Sequence, residues 1–369
     1  MIRILHVTAK MDRGGIETFI MNIYRNINRE KFQFDFLLSS DKEDIYNDEI
    51  RSLGGKIFKI PGRNKGVIQN KKAVQKFFLL HPEYKIVHQH VSSLSYLDPL
   101  KIAKKNGVAT RIIHSHNTKQ GGSSLHKYVH YINKFFISSI ASHYFACSHL
   151  AARWLYPSSL YDTKKYRVIK NAIDTKEFVY NEELRTRMRK DMNIENKFVI
   201  GHIGRFMPQK NHDFLIDIFK KFNDKEKDSL LLLVGDGTLR KSIKEKVESL
   251  GLKDKVIFTG VRTDTSALLQ TMDVFVMPSF HEGLPVTLIE AQAAGLPCVV
   301  STEVTKEVQI SQDIKWCGLN ESLESWTTSI LASKENVRKN VESDIFTAGY
   351  DTSNVVLELE KFYSDNYVK

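Results

Sequence analysis

The chain has 369 residues, 42% of them hydrophobic, and 54 Lys+Arg against 43 Asp+Glu give it a formal net charge of +11. That length suits two domains of ordinary size, and the apolar fraction is too high and the charge too mixed for a disordered chain. No window reaches the length of a membrane span, the opening MIRILHVTAK lacks the apolar run of a secretory leader, and the dispersed Cys147, Cys298 and Cys317 argue against a disulfide framework or a Cys-based zinc site, so a reducing, cytoplasmic location is expected.

Short apolar runs predict strands at 4–7, 32–38, 56–60, 86–90, 110–114 and 143–147, with helical patterns such as 17–28 and 73–80 between them. A polar stretch, 171–196, follows. The rhythm then restarts with strands at 198–204, 230–234, 256–259, 274–277 and 298–300 and helices at 211–222 and 239–250. Val355, Val356, Leu359 and Phe362 give 351–363 a helical spacing. Alternation of strand and helix predicts an α/β chain of two doubly wound, Rossmann-like domains facing each other across a cleft. Ligands of such sheets bind at the carboxyl ends of the strands. The loops after the strands are therefore where function is sought.

The first such loop, HVTAKMDRGGIET, places Gly14 and Gly15 before a helix with Glu17 in its first turn. Paired glycines let a backbone approach a ligand, but this is not the G-x-G-x-x-G of a nicotinamide site. In HIGRFMPQKNH, Gly204 ends a strand and Arg205 and Lys210 converge on it. Two cations there suit a diphosphate, Arg as a bidentate donor and Lys as a point charge, and would stabilise its departure. In VIFTGVRTD, Gly260, Val261 and Arg262 offer backbone to a base edge, whereas VGDGTLR reads as a structural turn with Asp236 as a helix cap.

The stretch SFHEGLPVTLIEAQAAGLPCVVS carries the most information. Glu282 lies on a loop and Glu290 on the helix opened by Pro285 and closed by Gly295. Amides of Gly283 and Leu284 beside that helix start suit an anion, and the two carboxylates suit hydroxyls of a ribose and a sugar. His88 and His90 end one strand, and His114 and His116 the next. H-x-H without a carboxylate or Cys partner is a poor zinc signature, and D-x-D is absent, so no metal is expected. One histidine facing a reacting sugar is the alternative to structural hydrogen bonding.

Together these loops resemble the retaining family-4 glycosyltransferases of the GT-B fold. Gly14-Gly15 with Glu17, the His116 loop, Arg205 and Lys210, VGDG, FTG and the pair Glu282 and Glu290 span nearly the whole chain in the family's order. The chain looks particularly like enzymes of bacterial capsular, exopolysaccharide or lipopolysaccharide assembly. The resemblance implies that Arg205 and Lys210 hold the donor diphosphate, Glu282 the donor sugar and Glu290 the ribose. It implies further that Gly283 and Leu284 assist at sugar or phosphate, that Gly204 and Gly260–Arg262 line the nucleotide, and that His116 approaches the sugar with Gly14-Gly15 near the phosphates. Domains are then expected at 1–170 and 171–345, with a terminal helix in 346–369 crossing back to the first. Two departures stand out: Ala172 in KNAID, where the family commonly has glycine, and Asn117 after His116, which leaves His114 as a rival.

The expected activity is metal-independent, cofactor-free transfer of a hexosyl unit from a nucleotide-sugar, a UDP-sugar above all, with retention, to a glycan or polyprenyl-diphosphate-linked acceptor. A UDP-sugar 2-epimerase of the same architecture remains open, as does a non-enzymatic nucleic-acid- or membrane-binding module. Residues 1–170 hold 28 Lys+Arg against 12 Asp+Glu, which points to an anionic partner. Lysines 71, 72 and 76 beside Phe77 and Phe78, and residues 127–140 with Tyr128, Tyr131, Phe135 and Phe136, suit an anionic membrane surface at the inner face of the plasma membrane. The cations are not interleaved with aromatics in a nucleic-acid motif, so no nucleic acid is expected.

Overall fold

The structure is a computed structural model that describes residues 1–12, 14–40, 42–117, 124–282 and 284–367. The chain forms two compact units, Met1–Ala172 with Thr352–Lys369, and Ile173–Asp351. The first carries seven parallel strands: β1 (Ile2–Thr8), β2 (Phe32–Leu38), β3 (Ile57–Lys59), β4 (Ile86–Val91), β5 (Thr110–Ser115), β6 (His143–Ala146) and β7 (Arg167–Val168), in the order β3-β2-β1-β4-β5-β6-β7. Strand β2, FQFDFLL, is buried along its whole length, as a strand covered on both faces must be. On one face Leu5, Val87 and Ile113 pack with Val74, Phe78, Leu100 and Ile137. On the other, Ile4, Phe34, Ile86 and Phe145 pack with Phe19, Ile20 and Ile23 of helix Gly15–Asn26 and with Val355, Leu359 and Phe362 of helix Thr352–Asp365.

The second unit holds six parallel strands: β8 (Phe198–Ile203), β9 (Ser229–Val234), β10 (Val256–Gly260), β11 (Val274–Met277), β12 (Cys298–Ser301) and β13 (Ile314–Cys317), ordered β10-β9-β8-β11-β12-β13. Strand succession reverses once in each sheet, between β1 and β4 and between β8 and β11. Loops at the carboxyl ends of those neighbours diverge and leave a crevice, the usual ligand site of an open α/β sheet.

Several sequence expectations change. Strands β7 and β13 were not predicted: β7 is two residues long, and in β13 Lys315 is exposed. The polar stretch 171–196 contains helix Glu182–Asp191, capped by Asn181, whose side chain accepts from the Leu184 amide at 2.8 Å. Its packing is ionic. Arg185 and Arg189 pair with Asp273 at 2.6 and 3.1 Å, so no apolar stripe marks it. Unit limits fall at 172/173 and 351/352 rather than 170/171 and 345/346. Ala172 is buried and is not among the left-handed residues Lys164, Asn193 and Asn211, so alanine fits this link without strain. Phe77 and Phe78, read as interfacial, are core residues. Tyr128, Tyr131, Phe135 and Phe136 on helix Ser124–Ile140 are exposed.

Candidate functional site

At the β8/β11 switch point, β8 hands over to Gly204, whose amide donates to the Val234 carbonyl at 2.9 Å. A Cβ on Gly204 would lie 3.1 Å from the Lys210 side chain, so its absence lets Lys210 fold over the strand end. Beside it Gly235, at φ +134, would put a Cβ 2.2 Å from the Gly204 carbonyl oxygen; only glycine fits there. Arg205 is exposed and forms no ion pair among the described residues. Lys210 ends the turn Pro208–Lys210, and left-handed Asn211 leads into helix His212–Lys225.

Lys210 Nζ lies 2.8 Å from Glu282 Oε1, with both side chains largely buried. The contact is close but off the axis of a regular hydrogen bond, so its attraction is mainly coulombic. Gln209 Nε2 donates to Glu282 Oε2 at 3.1 Å and to the His281 carbonyl at 2.9 Å. The loops after β8 and β11 are thus tied together. The residues expected to grip a diphosphate and a sugar grip each other, and an anion arriving at Lys210 competes with the Glu282 carboxylate.

Helix Val286–Ala293 follows, with Pro285 at its N-cap and Gly295, at φ +66, just past its end, as the sequence predicts. Burial pushes the Glu290 carboxyl up to about 7, and like charge on Glu177 adds to it. Gly283 lies outside the described residues; Leu284 is half-buried against the unit's core. Gly260, at φ +73, accepts the Gly235 amide at 2.9 Å. Val261 beside it is exposed, whereas Arg262 is already paired with Asp264 at 2.6 Å. Asp236 does not cap the next helix. That helix starts at Arg240 with Leu239 at its N-cap, and Asp236 accepts instead from the Gly237 amide at 2.7 Å and from Arg240 at 3.1 Å. Sequence reading missed Ser279 and Thr287, whose buried hydroxyls have no partner among the described residues. Their only signal was position, flanking Glu282.

In the first unit Gly14 is the N-cap of helix Gly15–Asn26, and a Cβ there would strike Glu17 Oε2 at 2.3 Å; Gly15 faces open space. Glu17 curls over the helix entrance, and burial raises its carboxyl. His114 is wholly buried, its Nδ1 3.1 Å from His88 Nε2. His116, half-buried, stands at the end of β5, its amide donating to the Val91 carbonyl at 3.0 Å. Its Nε2 is 2.9 Å from His90 Nδ1, and His90 Nε2 is 2.9 Å from His6 Nδ1. Two groupings, His6 with His88 and His90, and His90 with His114 and His116, bring one nitrogen per ring within 4.8 Å of the others. The H-x-H spacing could not show this, because His6 comes from β1.

Residues 13–177 match the sequence family described as Glycosyltransferase Family 4, and residues 185–330 match Glycosyl transferases group 1. EpsF of Bacillus subtilis, named as a glycosyltransferase, is 32% identical over 370 residues, spanning 98% of this chain and 96% of its own. The chain belongs to the family 4 glycosyltransferases. The UDP-Gal:alpha-D-GlcNAc-diphosphoundecaprenol alpha-1,3-galactosyltransferase of Escherichia coli is 28% identical over 313 residues, 81% of this glycosyltransferase and 79% of that enzyme. Anabaena HepE, solved with UDP and glucose, matches with a TM-score of 0.79 at 18% identity, covering 99% of this chain and 100% of that one. The fold of this glycosyltransferase is therefore GT-B, as its sequence motifs imply.

Proposed function

We propose that this glycosyltransferase moves a hexosyl unit from a UDP-sugar to a lipid-linked glycan, with retention of configuration and without a metal, in assembly of a bacterial surface polysaccharide. The observation that carries the reading is the Lys210–Glu282 pair at the β8/β11 switch point with Arg205 unpaired and exposed beside it. A diphosphate fits this arrangement: Arg205 is an open bidentate donor, and Lys210 is a cation already aimed at the crevice. When a donor binds, Lys210 turns to phosphate, and Glu282 is released to accept from sugar hydroxyls. Glu290 accepts from the ribose. HepE, also solved with UDP-glucose, supports a uridine donor, and the Escherichia coli relative, by its name, supports a diphospholipid-linked acceptor.

Chemistry then proceeds on one face. The bond from the anomeric carbon to the diphosphate oxygen breaks as the acceptor hydroxyl attacks, and the departing phosphate takes the hydroxyl proton. Arg205 and Lys210 stabilise the charge that grows on the leaving group, a contribution present mainly in the transition state. They do what a bound metal would otherwise do. The acceptor's carrier would be met at a membrane. The exposed aromatics of helix Ser124–Ile140, with Lys71, Lys101, Lys104 and Lys105 nearby around a cavity of about 550 Å³ that Phe136 also lines, suit an anionic lipid surface. Among the described residues no helix is long and apolar enough to cross a membrane.

The test is turnover of Arg205→Ala with UDP-sugar donors, with and without EDTA. A loss on the order of 100-fold or more is expected for removing a transition-state donor, with the wild type indifferent to EDTA. Near-normal turnover of the variant, or loss of wild-type activity in EDTA, refutes the respective assignment.

A further inference from the structure

Five histidines share one face of the first sheet: His6 on β1, His88 and His90 on β4, His114 on β5 and His116 just past its end. Strand register sets His6 beside His88 and His90 beside His114. His116 is half-buried and the other four are buried. Phe19 lies 5.4 Å from the His114 and His116 rings and 6.3 Å from His90, an apolar cover. The hydrogen bonds run from ring to ring: His88 Nε2 to His114 Nδ1 at 3.1 Å, His6 Nδ1 to His90 Nε2 at 2.9 Å, and His90 Nδ1 to His116 Nε2 at 2.9 Å. Tyr363 OH meets His88 Nδ1 at 2.9 Å. His114 Nε2 is buried with no partner among the described residues.

Imidazole binds a metal through the lone pair of one nitrogen while the other nitrogen donates to a fixed acceptor. One nitrogen each from His90, His114 and His116 lie within 4.8 Å of one another. Nitrogens on a tetrahedral zinc ion stand roughly 3.4 Å apart, from a Zn–N length of ~2.1 Å, so ring shifts of about 1 Å close the site. An ion there gives every ring hydrogen of its three ligands a place. His114 binds through its unpartnered Nε2 and donates from Nδ1 to His88, which donates to Tyr363. His90 binds through Nδ1 and donates from Nε2 to His6. His116 binds through Nε2 and donates from Nδ1 to Asn171, whose buried Oδ1 has no regular partner. The cost falls on His6, whose Nε2 hydrogen meets no acceptor among the described residues. The inner grouping, His6 with His88 and His90, is the poorer site. Both nitrogens of His88 are taken, by Tyr363 and His114, and all three rings are buried, whereas half-buried His116 opens the outer grouping to a fourth ligand.

We propose that His90, His114 and His116 bind a divalent transition-metal ion, zinc above all, with water as fourth ligand, and so fasten the carboxyl ends of β4 and β5 beneath helix Gly15–Asn26. Three neutral nitrogens and a water suit zinc rather than magnesium or calcium, which take oxygen ligands. His6, His88 and Asn171 are positioning residues that touch no metal. All of these residues belong to the first unit, and the ion takes no part in the sugar transfer proposed above.

The experiment strips the full chain with a strong chelator, adds Zn²⁺ or Co²⁺, removes the excess by gel filtration and measures bound metal. One ion per chain is expected, with the intense visible absorption of four-coordinate Co²⁺ and slower hydrogen exchange at β4 and β5 but not in the second unit. His116→Ala should weaken uptake by about 100-fold or more, and His6→Phe, which removes the acceptor for His90, by about 10–100-fold. His149→Ala, at an exposed histidine outside the cluster, should change nothing. No retained metal, the weak absorption of six-coordinate Co²⁺, full uptake by His116→Ala, or uptake lost in His149→Ala overturns the proposal. If His6→Phe fails to fold, His116→Ala at its half-buried position still decides.

Discussion

Glu290 changes charge within the ordinary pH range. Its folded carboxyl sits at about 7 against an ordinary 4.5, chiefly through burial, so the folded state holds the proton more tightly than the unfolded chain does. Its contribution to stability is therefore complete below about pH 4.5 and is lost as pH rises through about 7. A ribose diol donates to a carboxylate better than to a carboxylic acid, so nucleotide binding should expel the proton. UDP affinity is expected to rise between pH 6 and 8 and to be weaker and flat with pH in Glu290→Gln. Calorimetry at several pH values checks this; an equally steep profile in the variant would remove Glu290 from the ribose. The positions of Arg205, Lys210 and Glu282 on loops after strands, and of Glu290 on the following helix, were legible because the apolar runs before them mark the strands. The histidine chain was not, because its members at 6, 90 and 116 become neighbours only through strand order. The Lys210–Glu282 pair was hidden for the same reason: nothing in either loop says that β8 lies beside β11.

Strands built on long apolar runs were predicted to within a few residues, whereas the short strands β7 and β13 and the ionically packed helix Glu182–Asp191 were missed. Helix Glu182–Asp191 is the clearest case. Arg185, Arg189 and the Val199 amide all converge on Asp273, so a polar sequence holds a buried surface. Asp273→Ala removes the carboxylate that two largely buried arginines share, leaving them only backbone carbonyls, and is expected to cost the second unit about 3 kcal/mol, the lower end of the effect of removing one partner from a buried pair. Urea unfolding of wild type and variant measures it, and a loss below about 1 kcal/mol would contradict the account. Helix Ser124–Ile140 poses the opposite problem, an aromatic face left exposed among the described residues. Phe135 is 79% exposed and Tyr128 66%, while Lys134 turns inward to the Arg153 and Trp154 carbonyls. Binding to anionic liposomes, weak on neutral ones and lost at high salt, is expected, with Phe135→Asp cutting the bound fraction several-fold. Cosedimentation decides; binding insensitive to lipid charge and to Phe135 would leave the face without a membrane role.

At the scale of the whole molecule, each unit has its own core, and the second is inserted into the first between Ala172 and Thr352. Val355, Val356, Leu359, Phe362 and Tyr363 belong to the same core as Ile4, Phe34 and Phe145. Leu359→Ala should therefore destabilise the first unit by about 2–5 kcal/mol, as loss of a buried leucine does, and leave the second unmoved. Hydrogen exchange resolved by segment is the measurement, and equal loosening of both units would contradict it. The sequence predicted the helix from its spacing, whereas its place on the first sheet was implied only by family resemblance, because periodicity says which face is buried and not against what.

The insertion also sets an order of events during synthesis. When residue 172 leaves the ribosome, part of one face of the first sheet is bare, and the helix that covers it is not made until residues 352–365. The inserted unit is contiguous and can close while the first one waits. A premature stop between codons 352 and 365 would thus release a finished second unit beside a first unit with an exposed apolar face, a species prone to aggregate or to be captured by chaperones.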